Sequence, residues 1–196
     1  MTEFALVIPV LMLTLFAIFE AALIMFSVGS ARYASADGAR IISEQGIAAQ
    51  TCSKVPGCIK VYNSPNKSCD ADCQAISAIN LGPLGTTTIA SVDEIDVQKQ
   101  MTACDGTIKP DDGTGGCSGP SNGCPCVNKF HLDGTSAGTT SYPAGTRNVI
   151  LGQSDLAAVT VKFHYVWKTG FFMKNPFPVI ATAYIVRLEP QKFPGA

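Results

Sequence analysis

The chain opens with an apolar run that its own globular part cannot bury. Between Phe4 and Ala31 there is a single charged residue, Glu20. Residues 4–28 are apolar on every helical face, and they exceed the roughly 20 residues with which a helix spans a bilayer. We therefore expect a transmembrane helix at some stage. No Lys or Arg precedes Phe4, so the positive flank of a cleavable signal peptide is missing and a retained helix is favoured.

The helical pattern continues beyond the apolar run as an apolar stripe beside charged residues. The stripe consists of Ala31, Tyr33, Ala34, Ala36, Ala39, Ile41, Ile42, Ile47 and Ala48, and the charges are Arg32, Asp37, Arg40 and Glu44. This pattern predicts one helix of roughly 45 residues, about 70 Å long, with an apolar first half and an amphipathic second half. The apolar half must find lipid or other copies of the chain.

Four residues of this helix are candidates for a role in assembly: Glu3, Pro9, Glu20 and Arg32. Pro9 removes one backbone hydrogen bond, so we expect a kink or local melting, with a tolerated membrane proline as the alternative. A carboxylate in apolar surroundings is costly and usually finds a partner. For Glu3 we expect the α-amino group of an adjacent subunit, or else solvation at the membrane edge. For Glu20 we expect Arg32 or another polar group of a neighbouring chain.

The cysteines predict an oxidised, cross-linked region. All eight lie between residues 52 and 126, and an even number in a loop-rich stretch is typical of an oxidising compartment. We expect up to four disulfides, and short loops favour Cys52 with Cys58 and Cys69 with Cys73, although the sequence leaves 105 complete pairings open. The cysteines are Cys52, Cys58, Cys69, Cys73, Cys104, Cys117, Cys124 and Cys126.

The rest of the chain predicts an α+β fold. Residues 51–145 are mostly loop by pattern, with a strand within 87–99 and a short helix at 72–79. After residue 145 the β signals strengthen. Strands are predicted at 148–151, 156–167 and 178–188, in an antiparallel sheet on the C-terminal half of the helix. An apolar tip (Phe171, Phe172, Met173 and Phe177) is expected between the last two strands. Residues 1–50 are then a helical segment, and residues 51–196 a β-rich, disulfide-stapled domain.

The sequence carries no recognisable catalytic motif, so we expect neither an enzyme nor a cofactor. Cys117, Cys124, Cys126 and His131 have soft ligand atoms that suit zinc or copper, but their spacing and the oxidising setting favour disulfides over a metal. His164 lies in a strand pattern and is interpreted as a sheet residue.

The surface features of the sequence give little indication of function. Asn66-Lys67-Ser68 is a glycosylation sequon or ordinary surface, and Asp111-Asp112-Gly113 is interpreted as a solvated turn. The 14 basic and 15 acidic residues are scattered, so no nucleic-acid partner is expected.

Residues 2–11, Thr-Glu-Phe-Ala-Leu-Val-Ile-Pro-Val-Leu, resemble the start of TadE-like pilins and pseudopilins of tight-adherence (Tad) pili. Ala39-Arg40 is similar to the family's Gly-Ala-Arg element. Residues 159–166 and 180–189 are similar to its two closing strands. The resemblance covers about the first 45 and the last 40 residues and leaves out the cysteine-rich middle.

The resemblance implies a type IV pilin-like subunit that is processed by a prepilin peptidase, lifted from the inner membrane by the pilus assembly machinery and packed into a homopolymer through its helix. It implies an extracellular filament with a role in surface attachment. Glu3 lies closer to the start than the family's glutamate. An apolar opening without a basic flank is expected of a chain already trimmed of its leader. The alternatives are a minor pseudopilin that primes assembly and a membrane-anchored extracytoplasmic ligand-binding domain.

Overall fold

The computed structural model describes residues 2–102, 108–110, 126–138, 140–168 and 178–189, with side chains from residue 7 onward except at 101, 102 and 109. Its longest element is α1, Thr2–Gln45, a helix of 44 residues that runs unbroken through Pro9. The prediction of one helix of about 45 residues is therefore confirmed, whereas local melting at Pro9 is not observed. Gly46 ends the helix because it takes a left-handed conformation with φ 51° and donates its N–H to the carbonyl of Ile42 at 2.9 Å.

The cysteine-rich region after α1 contains more regular structure than its sequence predicts. Asp70 caps α3 because its side chain accepts a hydrogen bond from the backbone N–H of Cys73. Two neighbouring elements, β1 and β2, form a small antiparallel pair. The elements are β1 Gln50–Thr51, a 3-10 turn Cys52–Lys54, α2 Cys58–Tyr62, β2 Ser68–Cys69, α3 Ala71–Leu81 and α4 Pro83–Thr86.

A five-stranded antiparallel sheet forms the body of the protein. Strand β6 lies between β3 and β7, and β3 pairs on its other side with both β4 and β5. Its strands are β3 Ala90–Thr102, β4 Ile108–Pro110, β5 Val127–Phe130, β6 Leu156–Tyr165 and β7 Ile180–Arg187, with a second 3-10 turn at Ala144–Thr146. The α+β prediction, a long helix on an antiparallel sheet, is confirmed, as are the strands predicted within 87–99, 156–167 and 178–188. Residues 148–150 are irregular and lead into a turn at 151–153, so the strand predicted at 148–151 is wrong.

One face of the sheet and the second half of α1 share a hydrophobic core. Alternate residues of β6 are buried, namely Ala157, Val159, Val161, Phe163 and Tyr165. Ala157, Val159, Val161 and Phe163 pack in one cluster with residues of α1, namely Ala31, Ala34, Ala39 and Ile42. The fit is close at Gly38, where an added Cβ would lie 3.0 Å from Ile79 and 3.3 Å from Val159. Helix α1 therefore lies directly against both α3 and the sheet.

The far end of α1 is fastened to the end of β7. The hydroxyl of Ser43 donates to the carbonyl of Arg187 at 2.8 Å, and the N–H of Glu189 donates to the carbonyl of Ser43 at 3.1 Å. These bonds fix the C-terminal end of the helix to the edge strand of the sheet. The first half of α1 extends beyond the sheet.

Candidate functional site

The first half of α1 presents bare apolar surface on all sides. From Val7 to Phe19 every side chain is exposed except the half-buried Ala17, and Ile18 is 69% exposed. The hydroxyl of Thr14 is satisfied locally, because it donates to the carbonyl of Leu11 at 2.8 Å. By length and composition, this helix can cross a membrane. A surface of this kind is stable only against lipid or other apolar surface.

Beyond Glu20 the exposed apolar surface narrows to one side of the helix. Met25, Phe26 and Tyr33 are 75%, 50% and 62% exposed, while the opposite side enters the core. Residues at intervals of seven lie on the same side of a helix, as Phe26 and Tyr33 do. The apolar surface of the first half therefore continues as a strip along the second half.

Glu20 lies where the exposed segment meets the globular part. It is 2% exposed, and its carboxylate accepts hydrogen bonds from the hydroxyl of Tyr165 and from the backbone N–H of Lys168, the latter at 3.2 Å. Both donors belong to the same chain and lie at the end of β6. Glu20 therefore has partners within its own subunit, and a partner from a neighbouring chain stays a prediction.

The four candidate assembly residues lie far apart along α1. Arg32 is exposed and lies twelve residues beyond Glu20, about 18 Å along the axis, so it cannot contact Glu20 within one subunit. Pro9 lies within the exposed half, and Glu3 lies in the first turn of α1, where the structure describes the backbone only. The structure brings none of these three residues together with Glu20, and their part in assembly stays a prediction.

A buried ion pair, which the sequence did not predict, organises the region behind α3. Asp72 and Arg147 are 3% and 0% exposed at their side chains, and they meet at 2.5 Å. The amide of Asn128 donates to Asp72 at 2.8 Å and to the carbonyl of Tyr142 at 2.6 Å. Burial raises the pKa of Asp72, and the charge of Arg147 opposes this. The network joins α3, β5 and the 142–147 segment, which indicates a structural role.

The outer face of the sheet carries a second charge cluster. Lys162 contacts Glu94 at 2.5 Å and Asp96 at 2.7 Å, and Lys129 contacts Glu94 at 3.1 Å. The hydrogen bond from Lys162 is the main reason that the pKa of Glu94 falls to about 2. His164 pairs with Asp93 at 2.8 Å on the same strands, in agreement with its interpretation as a sheet residue. The cluster ties three strands together.

The cysteines form disulfides in the described part of the chain. Cys52 is bonded to Cys58 and Cys69 to Cys73, the neighbours that short loops favour. The two disulfides are adjacent, with 3.6 Å between the sulfurs of Cys58 and Cys73.

The remaining cysteines and the other predicted surface features are only partly described. Cys126 is also disulfide-bonded, to a partner outside the described residues. Cys104, Cys117 and Cys124 lie outside those residues too, as do the apolar tip at 171–177 and Asp111-Asp112-Gly113.

Two of the four candidate metal ligands, Cys126 and His131, are described, and both have other partners. Cys126 is in a disulfide, and the Nδ1 of His131 lies 3.2 Å from the backbone carbonyl of Asp93. Cys58, Cys69 and Cys73 have sulfurs within 4.8 Å of one another, but each belongs to a disulfide. Asn66 of the sequon is exposed, as glycosylation requires.

The fold and its bare helix define an α+β protein with a helix able to anchor it in a membrane and a disulfide-bonded globular part. Residues 1–40 match the family model described as TadE-like protein, over 40 of the 196 residues. The N-terminal helix is therefore TadE-like, as the sequence resemblance led us to expect, and this indicates a protein associated with Tad pili. No curated protein matches the chain, and no solved structure matches it.

Proposed function

We propose that this chain is the structural subunit of an extracellular Tad-like pilus, assembled as a homopolymer through α1. The observation that carries the proposal is the bare apolar surface from Val7 to Phe19, which extends beyond the folded part of the same chain. Filament formation removes that surface from water once the subunit leaves the inner membrane. The TadE-like match over the same helix supports this use.

In this proposal the N-terminal helix and the rest of the chain have different roles. Residues 1–50 supply the filament core, and residues 51–196 form the outer domain that faces the medium and contacts surfaces. The disulfides support an extracellular setting, because such bonds persist in oxidising compartments. The proposed role is structural and non-enzymatic, and the partners before assembly are the inner membrane, a prepilin peptidase and the pilus assembly machinery.

A second candidate function is that of a minor TadE-like pseudopilin that primes assembly. The TadE-like match is equally compatible with this role, because a minor subunit needs the same helix to join a filament. The abundance of the chain in filaments distinguishes a structural subunit from a minor pseudopilin. Filaments sheared from cells should contain this chain as the main component, identified by N-terminal sequencing, if it is the structural subunit. Its presence only in trace amounts would favour the minor role, and its absence from filaments would contradict both.

Glu3 gives the proposal a residue-level test. Glu3→Ala should reduce filament yield while the outer domain still folds, because the lost carboxylate is the proposed partner of an adjacent subunit's α-amino group. Glu44→Ala is the matched control, since Glu44 is exposed at the other end of α1 in an i,i+4 pair with Arg40. Normal filament yield from Glu3→Ala would count against the pairing.

A further inference from the structure

The length of helix that extends beyond the sheet is close to the thickness of a membrane interior. Thr2 to Phe19 are the residues of α1 that precede the buried Glu20. At 1.5 Å per residue they span about 27 Å, and the hydrocarbon core of a bilayer is about 30 Å thick. The length of helix that precedes Glu20 therefore matches one bilayer.

The residues at the end of this segment have the chemistry of a membrane surface. Tyr165 and Trp167 lie with ring centroids 5.5 Å apart in an edge-on arrangement, and the neighbouring Lys168 is exposed. Trp concentrates at the boundary between hydrocarbon and water, and Lys reaches from there to lipid phosphates. Tyr165 itself is fully buried and takes part only through its hydrogen bond to Glu20. Together with Glu20 these three residues are called the collar.

The collar also limits how deeply the chain can enter. The Glu20 carboxylate is held by the Tyr165 hydroxyl and by the N–H of Lys168, so Glu20 cannot sink into hydrocarbon without taking the end of β6 with it. A strand end in hydrocarbon would leave backbone groups without partners, and each costs several kcal/mol. Deeper insertion is therefore strongly opposed.

We propose that the collar lies at the surface of a lipid bilayer and that, among the residues that the structure describes, only the helix preceding Glu20 enters the hydrocarbon. The tie between Glu20 and Tyr165 sets the insertion depth of the subunit before assembly. The inference rests on the membrane stage of the proposed function, and it adds which residues mark the boundary.

The protein contains one tryptophan, Trp167, which reports directly on the collar. The full-length chain is reconstituted in phosphatidylcholine vesicles and purified by flotation. The lipids carry bromines either near the headgroup or near the chain ends. Trp167 fluorescence should lose more intensity with bromines near the headgroup.

Two variants in a Trp167→Phe background calibrate the depth. Leu13→Trp places the probe about 10 Å deeper along α1 and should be quenched more by bromines near the chain ends. Leu151 is 80% exposed on a turn near Asp155. The carbonyl of Asp155 accepts a hydrogen bond from the N–H of Leu188, next to the residues that bind Ser43 at the far end of α1. Leu151→Trp therefore lies at the opposite end of the sheet and should lose no intensity.

Three results would overturn the inference. Trp167 fluorescence could lose no intensity, like the probe at position 151, or it could lose more intensity with bromines near the chain ends. The third result is a chain that does not float with the vesicles. After either of the first two results, the proposed function still holds if sheared filaments contain the chain. Failure of the insertion-depth inference can therefore be distinguished from failure of the proposed function.

Discussion

Tyr165, the last residue of β6, donates its hydroxyl hydrogen to the carboxylate of Glu20, 145 positions earlier in the chain. The bond joins the sheet to the long helix at the point where the helix loses its cover. It gives the charged residue of the apolar run a partner within the same subunit. The tie joins the bare helix and the outer domain into a single unit.

Tyr165→Phe tests the strength of this tie. The variant keeps the buried ring and removes only the hydroxyl, so we expect a loss of about 1.5–3 kcal/mol in the free energy of unfolding, as for a hydrogen bond to a charged group. Chemical unfolding of the full-length protein in detergent measures it. Tyr33→Phe is the matched control, because Tyr33 is 62% exposed, and it should unfold like the parent. Equal stabilities of both variants would contradict a stabilising tie.

The ion pair between Asp72 and Arg147 should be costly to break from one side. Arg147→Met leaves the buried Asp72 carboxylate without its cation, so we expect a loss of about 3–5 kcal/mol in unfolding free energy. Replacing both partners, with Asp72→Leu added, should recover part of that loss.

Arg40→Met is the surface control for this experiment, because the Arg40 side chain is 75% exposed in its pair with Glu44, and it should have no measurable effect. A double variant as unstable as the sum of its singles would contradict the pairing.

The disulfide pattern can be read from a tryptic digest without reductant. Lys54 separates Cys52 from Cys58, so their bond should link two short peptides. Cys69 and Cys73 lie on one peptide between Lys67 and Lys99, and their bond should leave it unlinked to the others. A peptide linked through Cys58 and Cys73, whose sulfurs are 3.6 Å apart, would contradict this pairing, as would free thiols at these four positions.

The charge cluster on the outer face predicts a pH dependence. Folding lowers the pKa of Glu94 from 4.5 to about 2, chiefly through the hydrogen bond from Lys162. Because the folded state holds the charged form more tightly, the contribution is complete above the unfolded pKa and is lost as the pH falls through about 2.

Glu94→Gln should therefore lower the Tm at neutral pH, and the difference from the parent should shrink between pH 4.5 and 2. Thermal unfolding followed across this range measures the effect. Glu44→Gln is the surface control, because the Glu44 side chain is 44% exposed on α1. A Tm difference for Glu94→Gln that is constant with pH would exclude the predicted titration.

Periodicity predicted the parts of the fold in which one face is buried. Residues 156–165 alternate between core and outer face, and the structure follows that alternation to the last inward residue, Tyr165. The same alternation along β6 could have identified Tyr165 as a side chain on the face that packs against α1. What periodicity cannot give is the register of helix against sheet, and this register places Tyr165 opposite Glu20.

Two other features could not be predicted from the sequence, because the local pattern of residues does not encode them. Asp72 and Arg147 lie 75 positions apart, and neither is marked in the sequence as a buried charge. Residues 148–151 have strand-forming side chains, yet the Asn148 side chain accepts from the N–H of Ile150, and Asp155 accepts from the N–H of Asn148. These local bonds favour a turn, and Gly152 at φ +83° completes it.

The bare half of α1 must be covered by lipid or by other copies of the chain. Removing detergent from the purified full-length protein, followed by sedimentation and electron microscopy, tests it most directly. We expect filaments or other large assemblies in plain buffer, and vesicle-bound protein when lipid is supplied. A single soluble monomeric species in plain buffer would contradict the account.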